Sequence, residues 1–420
     1  MKPFYIVRHG HSLVNEKQLI VSSVATGIEA FGLTKKGIQQ AKNTSTTLKV
    51  MSKNFHICSS KFLRAVETAK ILQETLGCSV SYHHELAERY FGDLEAQSSV
   101  RYQDVWDLDK FDPSHKSFGV ESNEEMAQRL DLFFKKIETI SVQTDVIIVS
   151  HGDTIKIIQC LLMKLPLNLC LDVAYLNNAE LKVLSKREAP VIAAHRGNSS
   201  QFLENTMPAF ESAIEHSIPY IEMDIQHSKD NVPMILHDPN LKRTFNADVS
   251  VKDYCFKQIK ELSQNQVPSL QEVLSKIPKH IQCLIEMKDG WTNSLEQNLV
   301  AQLDQTLLMD FDHSQLILAQ KAISSLRCIW LLDQLKDVNE IISIALKNNF
   351  FAVSFDYKII LGTPELVFEA KQAGLAVYCW TVNNFEDALQ LIELGVDLIT
   401  TDYPISFKQK LTRSLPKEKD

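Results

Sequence analysis

The sequence predicts an α/β protein with two domains, an α/β/α sandwich followed by a TIM (β/α)8 barrel. Three observations support this fold class. The chain has 420 residues, which is too long for one ordinary domain. Short apolar runs alternate with helical patterns, as in mostly parallel sheets that are covered by helices. The second half contains eight apolar runs joined by crossovers, and eight parallel strands close a TIM barrel.

The first domain is predicted to cover residues 1–186. Its strand candidates are Phe4–Arg8, Phe55–Ser59, Val80–His83 and Val146–Ser150. Its helical patterns are Lys35–Met51, Ala65–Leu76, Asn123–Ile140 and Thr154–Met163. A parallel neighbour needs a crossover of a dozen or more residues, and helices of this length supply it. The polar stretch 185–190 ends in a proline and marks the predicted boundary.

The second domain is predicted to cover residues 190–410, with a polar C-terminal tail at 411–420. Its barrel strand candidates are Val191–Arg196, Tyr220–Ile225, Gln282–Lys288, Gln315–Ala319, Cys328–Leu332, Phe351–Phe355, Ala376–Thr381 and Asp397–Thr401. A further run, Val232–His237, follows the strand before it after a tight turn. Such a short connection joins only antiparallel neighbours. We therefore expect a small hairpin above the barrel, not a ninth barrel strand.

Composition excludes several classes of protein. The net charge is −8 with both signs well mixed, which argues against a nucleic-acid surface. The eight cysteines form no Cys-x-x-Cys pair, so we expect reduced thiols in a cytoplasmic protein. The apolar run Phe4–Val7 is too short for a signal peptide, and we expect no transmembrane segment. Secretion without a cleaved signal and the oligomeric state stay open.

Two predicted strands of the first domain end in a histidine that precedes a glycine. Arg8 and His9 end the first strand, and His151 follows the fourth. Catalytic groups of such α/β domains lie past the carboxyl ends of strands. A neutral imidazole can attack phosphorus and form a phosphoryl-enzyme, and guanidinium groups such as that of Arg64 suit the phosphoryl oxygens. Glu88 is the candidate acid for the leaving oxygen.

Residues 1–184 resemble the histidine phosphatase superfamily, in its phosphoglycerate-mutase-like branch. The resemblance rests on five segments in order, "RHGHSLVN", "GLTKKGIQQA", "SSKFLRAVETA", "ELAERYFGDLE" and "VSHGDTIKI". It implies that His9 is the phosphorylated nucleophile, that Glu88 is the proton donor and that no cofactor is needed. The residues that it assigns to phosphate binding are Arg8, Asn15, Arg64 and His151.

Two positions depart from the common pattern of that superfamily. His11 stands where Glu or Gln is frequent, and Asp153 stands where a second glycine is frequent. Both leave the preferred phosphomonoester open, and Asp153 is expected to repel a very anionic ligand. The segment Gln18–Phe31 is too short for the extra elements of a dedicated glycolytic mutase, which favours a hydrolase.

The second domain carries carboxylates at the ends of two neighbouring strands. Glu222 and Asp224 lie two apart on one predicted strand and therefore project to the same face. Glu286 and Lys288 repeat this spacing on the next barrel strand. Three carboxylates at this edge are suited to hold a cation, and all-oxygen ligation favours Mg²⁺ or Ca²⁺ over zinc.

Two histidines are predicted to flank this cation. His195 and Arg196 end the first barrel strand, and the hairpin arm is expected to return His237 to the level of Glu222. One histidine can deprotonate the attacking hydroxyl or water while the other protonates the leaving alcohol. The metal and Arg196 would neutralise the phosphoryl oxygens. This arrangement indicates the cleavage of a phosphodiester.

Residues 191–408 resemble the glycerophosphodiester phosphodiesterase family. The matching segments are "HRG", "LENTMPAF", "IEMDIQHSKDNVPMILHD", "KRT", "VPSLQEVL", "IEMK", "WTVNN" and "ITTDYP". The resemblance implies metal ligands at Glu222, Asp224 and Glu286, an acid–base pair at His195 and His237, and phosphate contacts from Arg196 and Lys288. It places Glu204 near the site and Trp380 at the wall of the glycerol pocket, although Trp380 could also be a core aromatic. Residues 239–268 would be the family's insertion.

The sequence thus predicts a bifunctional phosphoesterase for small-molecule substrates. Its barrel would hydrolyse glycerophosphodiesters to glycerol 3-phosphate and an alcohol with the help of a metal. Its first domain would hydrolyse phosphomonoesters through a phosphohistidine, and the two reactions could be sequential. The alternative is a lysophospholipase D-type lipid hydrolase, with a first domain that acts on an unrelated phosphomonoester or serves as a binding module. The leaving alcohol and the choice between Mg²⁺ and Ca²⁺ stay open.

Overall fold

The computed structural model describes residues 3–52, 54–184, 191–335 and 337–412. Contacts along the chain divide it into two units, residues 1–189 and 190–411. The predicted linker at 185–190 lies outside the described residues, as do residues 413–420 of the predicted tail.

The first unit is built on one five-stranded sheet. The strands are β1 (Phe4–Arg8), β2 (Phe55–Ser60), β3 (Ser79–His83), β4 (Asp145–Ser150) and β5 (Leu181–Leu184). The α-helices are α1 (Leu13–Lys17), α2 (Val24–Glu29), α3 (Lys35–Met51), α4 (Leu63–Leu76), α5 (Tyr102–Asp109), α6 (Asn123–Gln143) and α7 (Gly152–Met163).

This sheet has the order β3-β2-β4-β1-β5. The first four strands are parallel, which confirms the prediction. The edge strand β5 runs antiparallel to β1 and was not predicted. Its four residues are mostly half-buried, so its hydrophobic signal is weak.

Helices cover both faces of this sheet. Tyr5 and Val7 pack in a buried cluster with residues of α3 and α4, such as Leu48 and Leu72. Phe4 projects to the other face, because neighbouring side chains on a strand alternate, and its ring lies 5.4 Å from that of Phe134 on α6. The predicted α/β/α sandwich is therefore confirmed.

The second unit contains a larger sheet. Its strands are β6 (Val191–Ala194), β7 (Tyr220–His227), β8 (Pro233–Ile235), β9 (Asn240–Leu241), β10 (Ala247–Ser250), β11 (Gln282–Met287), β12 (Thr306–Asp310), β13 (Arg327–Leu332), β14 (Ala352–Asp356), β15 (Ala376–Trp380) and β16 (Leu398–Thr401). Its helices are α8 (Met207–Glu215), α9 (Lys242–Phe245), α10 (Phe256–Leu262), α11 (Leu270–Leu274), α12 (Asn293–Leu299), α13 (His313–Ala322), α14 (Val338–Lys347), α15 (Tyr357–Gly362), α16 (Glu365–Gln372), α17 (Phe385–Leu394) and α18 (Pro404–Thr412).

Eight parallel strands of this sheet close a barrel, as predicted. The order is β11-β12-β13-β14-β15-β16-β6-β7, and a further pairing of β11 with β7 closes the ring. Strand β8 pairs antiparallel with β7, with Ile235 opposite Ile225. The predicted hairpin is thus confirmed.

One predicted barrel strand was wrong. Gln315–Ala319 belongs to helix α13, and the fourth barrel strand is β12, Thr306–Asp310. A short apolar run does not separate a strand from a buried helical turn. Asp312 begins the helix by accepting a hydrogen bond from the Ser314 N–H, which is a typical N-cap.

The insertion at 239–268 has its own small core. It contains β9, α9, β10 and α10. Leu241, Val251, Ile259 and Val267 pack against Leu236 of the hairpin arm in a buried cluster. The barrel interior forms another cluster, which is lined by residues of the barrel strands.

Two further findings concern the described part of the chain. All eight cysteines lie within it, and each is a free thiol. Among its helices, none combines the length and the apolarity that a bilayer crossing requires.

Candidate active sites

His9 lies just past the carboxyl end of β1 and is buried. Its Nδ1 donates a hydrogen bond to the Gly10 carbonyl, 2.8 Å away. The lone pair of the neutral ring is therefore on Nε2. Burial lowers the pKa of His9 well below its usual value, and the cations Arg64 and Arg8 lower it further. A neutral imidazole with its lone pair on Nε2 is the form that can act as a nucleophile.

Two arginines present unpaired donors beside this histidine. Arg64, on α4, donates from Nε to His9 Nε2 at 3.2 Å and from Nη2 to the Val21 carbonyl at 3.1 Å. Arg8 donates from Nη1 to the Leu176 carbonyl at 3.0 Å. Arg64 Nη1 and Arg8 Nε are buried without a hydrogen-bond partner in the described structure. Buried guanidinium groups with free N–H donors suit a phosphoryl group.

The structure brings His151 and Asn15 to the same place. The His151 ring lies 5.2 Å from the His9 ring, and its Nε2 is 2.8 Å from the Ser60 hydroxyl. The Oδ1 atom of Asn15 accepts hydrogen bonds from Ser12, through its backbone N–H at 3.0 Å and its hydroxyl at 2.9 Å. This holds the Asn15 amide, and Asn15 lines the cavity beside His9.

Glu88 lines the same cavity, which has a volume of about 110 Å³. Burial raises the pKa of Glu88 to about 7, and the nearby Asp153 carboxylate contributes to the rise. The Oε2 atom of Glu88 lies 3.9 Å from Nδ1 of His151. A carboxyl that keeps its proton near neutral pH can serve as a general acid. Five of the sequence-predicted residues of this domain therefore line one cavity, namely Arg8, His9, Asn15, Arg64 and Glu88, and His151 lies behind them against the His9 ring.

The two departures from the common pattern have different surroundings. His11 is hydrogen-bonded through Nδ1 to the Thr34 hydroxyl at 2.9 Å and is absent from the cavity lining. Asp153 lines the cavity and accepts a hydrogen bond from Trp106 Nε1 at 3.0 Å. Sequence reasoning missed the aromatic lining, which includes Trp106 and Tyr175. Aromatic residues outside a strand or a motif carry no signal that separates a pocket wall from a core.

The barrel brings its three predicted metal ligands together. Glu222 and Asp224 lie on β7, and Glu286 lies on β11 directly opposite Asp224. Each offers one oxygen, and these oxygens lie within 4.8 Å of one another. The site therefore has the size and the all-oxygen chemistry that a hard divalent cation requires.

The electrostatics of this cluster also fit a cation. Burial raises the pKa of Glu222 well above its usual value, and the Asp224 charge adds to this. The same two causes raise the pKa of Glu286 to about 7. Burial acts to raise the pKa of Asp224 as well, but Arg196 and Lys288 lower it overall. Like charges in one buried place favour a proton or a metal ion as a counter-charge.

Each catalytic histidine candidate is oriented by a carboxylate. His195 Nδ1 donates to Asp402 Oδ1 at 2.6 Å, and His237 Nδ1 donates to Asp238 Oδ1 at 2.6 Å. Both rings thus keep Nε2 free for proton transfer. Burial and the nearby cations Arg196 and Lys288 lower the pKa of His237, against the opposing effect of Asp224.

Two basic side chains contact the carboxylate cluster. The Arg196 backbone N–H donates to Glu222 at 2.8 Å, and its Nε lies 3.0 Å from Asp224. Lys288 Nζ lies 3.2 Å from Asp224 and contacts Glu286. Both are near enough to the cluster to reach a ligand that binds there.

Glu204 lies beside this cluster rather than in it. It accepts from Arg196 Nη1 at 2.7 Å and from both Nη atoms of Arg243 at 2.7 Å. The Nε of Arg243 donates to Asp238 at 2.7 Å, the residue that orients His237. Glu204 is therefore connected to His237 through Arg243 and Asp238.

Trp380 ends β15 and is half-buried. Its ring meets the Phe311 ring edge-on at 5.6 Å, and it also packs against the barrel's interior cluster. Its Nε1 is buried without a hydrogen-bond partner in the described structure. Trp380 thus has a core contact and an unsatisfied donor at the carboxyl end of a barrel strand.

Sequence reasoning missed three polar residues of the barrel site. Asp402 and Asp238 orient the histidines, and Asn205 donates to Asp224 Oδ2 at 2.8 Å. Asp238 could have been found, since it follows His237 directly. Asp402 is 207 residues from its partner His195, so no local spacing reveals the pair.

The two sites together define a hydrolase of phosphate esters. The chain belongs to the glycerophosphoryl diester phosphodiesterase family, whose model matches residues 195–406. The model of the histidine phosphatase superfamily, branch 1, matches residues 4–195. The predicted fusion of these two domains is therefore confirmed.

Curated relatives match the barrel half of the chain. A glycerophosphodiester phosphodiesterase of Caldanaerobacter subterraneus subsp. tengcongensis is 32% identical over 234 residues, which is 51% of this chain and 94% of the relative. One of Bacillus subtilis is 28% identical over 247 residues, 51% of this chain and 84% of the relative. The crystal structure of a glycerophosphodiester phosphodiesterase from Thermotoga maritima is 24% identical, with a TM-score of 0.48, and covers 53% of this chain and 99% of that one.

Proposed function

We propose that the chain is a bifunctional phosphoesterase that cleaves a glycerophosphodiester in its barrel and a phosphomonoester in its first domain. The observation that carries the proposal is the carboxylate cluster of Glu222, Asp224 and Glu286, next to two histidines that each keep a free Nε2. The relatives of the barrel are named glycerophosphodiester phosphodiesterase, which supports this substrate class.

In the barrel, we assign the cluster to one divalent cation, Mg²⁺ or Ca²⁺. When bound, the cation supplies Lewis-acid stabilisation of the phosphoryl oxygens. Arg196 and Lys288 contact the same oxygens. One of His195 and His237 accepts the proton of the attacking hydroxyl or water, and the other donates a proton to the leaving alcohol. Where a glycerol hydroxyl attacks, a water then opens the resulting cyclic phosphate. Trp380 forms a wall for the glycerol group. The products are glycerol 3-phosphate and an alcohol.

In the first domain, His9 Nε2 attacks phosphorus as the bond to the leaving oxygen breaks. Glu88 gives its proton to that oxygen, which departs as an alcohol. A water then attacks the phosphohistidine, Glu88 takes up the water proton, and inorganic phosphate leaves. Four side chains hold the phosphoryl oxygens throughout: Arg8, Asn15, Arg64 and His151. This mechanism uses no cofactor.

The two reactions are proposed to run in sequence. Glycerol 3-phosphate, the expected product of the barrel, is a phosphomonoester and thus belongs to the substrate class of the first domain. Two active sites in one chain also raise the local concentration of the intermediate, although free diffusion of a small product limits this gain.

A three-variant assay with glycerophosphocholine tests the sequence of reactions. The wild type should release choline and inorganic phosphate. His237→Ala should release neither, whereas His9→Ala should release choline and accumulate glycerol 3-phosphate. His280→Ala, which removes an exposed histidine of the second unit, is the matched control and should behave as the wild type does. A wild type that stops at glycerol 3-phosphate would contradict the coupling and leave the diesterase assignment intact.

One observation supports a lipid substrate as the second candidate. Phe202 and Leu203 immediately precede Glu204 and are 40% and 37% exposed, so they offer apolar surface beside the site. A lysophospholipase D-type activity would cleave lysophosphatidylcholine. Choline release from monomeric lysophosphatidylcholine should be compared with release from glycerophosphocholine. A higher kcat/KM for the lipid, lost in Phe202→Ser, would favour this second candidate.

A further inference from the structure

Asp153 occupies an unusual place in the first domain. It lies in the first turn of α7, is only 8% exposed and lines the cavity that also contains His9 and Glu88. A buried carboxylate in a phosphate-binding cavity repels an anionic substrate, because like charges at short range are unfavourable. Its presence beside His9 and Glu88 therefore bears on which substrates can bind.

A network of side chains fixes the direction of this carboxylate. Trp106 Nε1 donates to Asp153 Oδ2 at 3.0 Å, and Arg89 Nη1 lies 3.7 Å from the same oxygen. Arg89 is already paired, since its two Nη atoms donate to Asp109 at 2.6 and 2.9 Å. Arg89 is thus shared between Asp109 and Asp153, and of these two carboxylates it is Asp153 that lines the cavity.

Lys156 lies near Asp153 and interacts with its charge. Lys156 Nζ donates to the Leu171 carbonyl at 3.3 Å, and it lies over the ring faces of Trp106 and Tyr175 at 5.7 and 5.3 Å. These two rings line the cavity with Tyr102. The cavity therefore combines a cationic phosphate site, apolar ring surfaces and one oriented carboxylate.

These groups imply different preferences for the two parts of a phosphomonoester. Arg8 and Arg64 favour the phosphoryl group. Aromatic faces accept a short carbon skeleton, and a carboxylate accepts strong hydrogen bonds from hydroxyl groups. A second phosphate or a carboxylate on the leaving group would face the Asp153 carboxylate, and repulsion between like charges is strong in a buried site.

We propose that Asp153 selects the leaving group of the first domain by accepting a hydrogen bond from its hydroxyl group and by repelling a second anionic group. The substrates are then monophosphates of small, uncharged polyols. This inference rests on the proposed phosphatase function and narrows its substrate class. Glycerol 3-phosphate meets the requirement, because its leaving group, glycerol, has two further hydroxyl groups and no charge.

The test uses two substrates that differ at one carbon. Glycerol 3-phosphate carries a hydroxymethyl group where 3-phosphoglycerate carries a carboxylate. The wild type should show a kcat/KM for glycerol 3-phosphate at least about 100-fold higher than for 3-phosphoglycerate, since a unit of like charge in a buried site has an effect of this order. Asp153→Asn keeps an oxygen for Trp106 and removes the charge, so it should reduce this ratio at least tenfold.

Two controls accompany the test. Asp107→Asn removes an exposed carboxylate of α5 that pairs with Lys110, so it changes the net charge equally and should keep the wild-type ratio. Hydrolysis of 4-nitrophenyl phosphate reports on the phosphatase itself, because its leaving group has no hydroxyl or anionic substituent. Thermal denaturation shows whether each variant is folded.

The outcomes separate the two levels of the proposal. Absence of 4-nitrophenyl phosphate hydrolysis by the wild type would overturn the phosphatase function and this inference with it. If that reporter is hydrolysed, a wild-type ratio of kcat/KM values near one overturns the inference alone, and so does a failure to hydrolyse both glycerol 3-phosphate and 3-phosphoglycerate. The ratio of the two kcat/KM values is measured on the wild type. It can therefore contradict the inference even if the Asp153→Asn protein does not fold.

Discussion

The Nε of Arg64 lies 3.2 Å from Nε2 of His9. The other nitrogen of that ring donates to the Gly10 carbonyl. The arginine N–H can be a donor only to an unprotonated Nε2, so this contact selects the neutral imidazole with its lone pair towards the cavity. It also marks the side of the ring at which the phosphorus atom must arrive, since phosphorus needs the same Nε2 lone pair.

The first prediction concerns this nucleophile. His9→Ala should abolish phosphomonoesterase activity and leave diesterase activity unchanged, because the barrel has its own acid–base pair. The wild type, quenched rapidly during turnover of a ³²P-labelled phosphomonoester, should carry phosphate that is stable to alkali and labile to acid, as expected of a phosphohistidine. Monoesterase activity above a trace in the variant would show that another residue is the nucleophile.

The second prediction is the pH dependence of the same reaction. Burial and then Asp153 raise the pKa of Glu88 to about 7, although Arg64 opposes this. The acid form exists below that pH, so kcat/KM for glycerol 3-phosphate should fall as the pH rises through about 7. Asp153→Asn removes a negative charge, which lowers the pKa of Glu88, and should move this fall to lower pH.

A matched pair of substrates checks the role of Glu88. Glu88→Gln should reduce the hydrolysis of glycerol 3-phosphate by about 10²-fold or more, the usual contribution of a general acid. The loss should be much smaller with 4-nitrophenyl phosphate, since nitrophenolate leaves without a proton. An equal loss with both substrates would rule out the proton-donor role.

The third prediction concerns the carboxylate cluster. A chelator should stop the diesterase and spare the monoesterase, and Mg²⁺ or Ca²⁺ should restore the lost activity. Titration calorimetry should find one divalent-cation site, and Glu286→Gln should weaken or remove it because one ligand oxygen loses its charge. Full diesterase activity in excess chelator would exclude the metal, and a comparison of the two ions identifies the preferred one.

The fourth prediction tests the pair of His195 and Asp402. Asp402→Asn weakens the hydrogen bond that orients the His195 ring, so the kcat of the diesterase should fall by about 10²-fold with a smaller change in KM. Asp253→Asn, an exposed carboxylate of the insertion, provides the control for net charge. Unchanged kcat in Asp402→Asn would show that the 2.6 Å contact is structural only.

Most strands of the barrel could be predicted from the sequence because the patterns that indicate them are local. Seven of its strand candidates overlap observed strands, and the two-residue spacing of Glu222 and Asp224 fixes their shared face. The error at Gln315–Ala319 has a physical cause: five apolar-rich residues fit a strand or one side of a helix equally well. The N-cap residue Asp312 directly before the run favours the helix over the strand.

The hydrogen bonds that orient the site residues could not be predicted from local sequence patterns. His195 and Asp402 meet because strands β6 and β16 are neighbours in the closed barrel, which is a consequence of topology rather than spacing. Likewise, Trp106 reaches Asp153 from a different helix. Sequence patterns identify which residues can do chemistry, whereas the partners that set their orientation and charge depend on the complete fold.

The insertion at 239–268 packs around an apolar cluster. It contacts the candidate site through Arg243, which donates hydrogen bonds to Glu204 and Asp238. This construction separates two kinds of evolutionary constraint. The barrel must keep its strands to keep its carboxylates, whereas the insertion must keep Arg243 and the apolar residues that it packs against the hairpin arm. A laboratory library that varies the remaining exposed positions of the insertion should therefore leave the carboxylate cluster of the barrel in place.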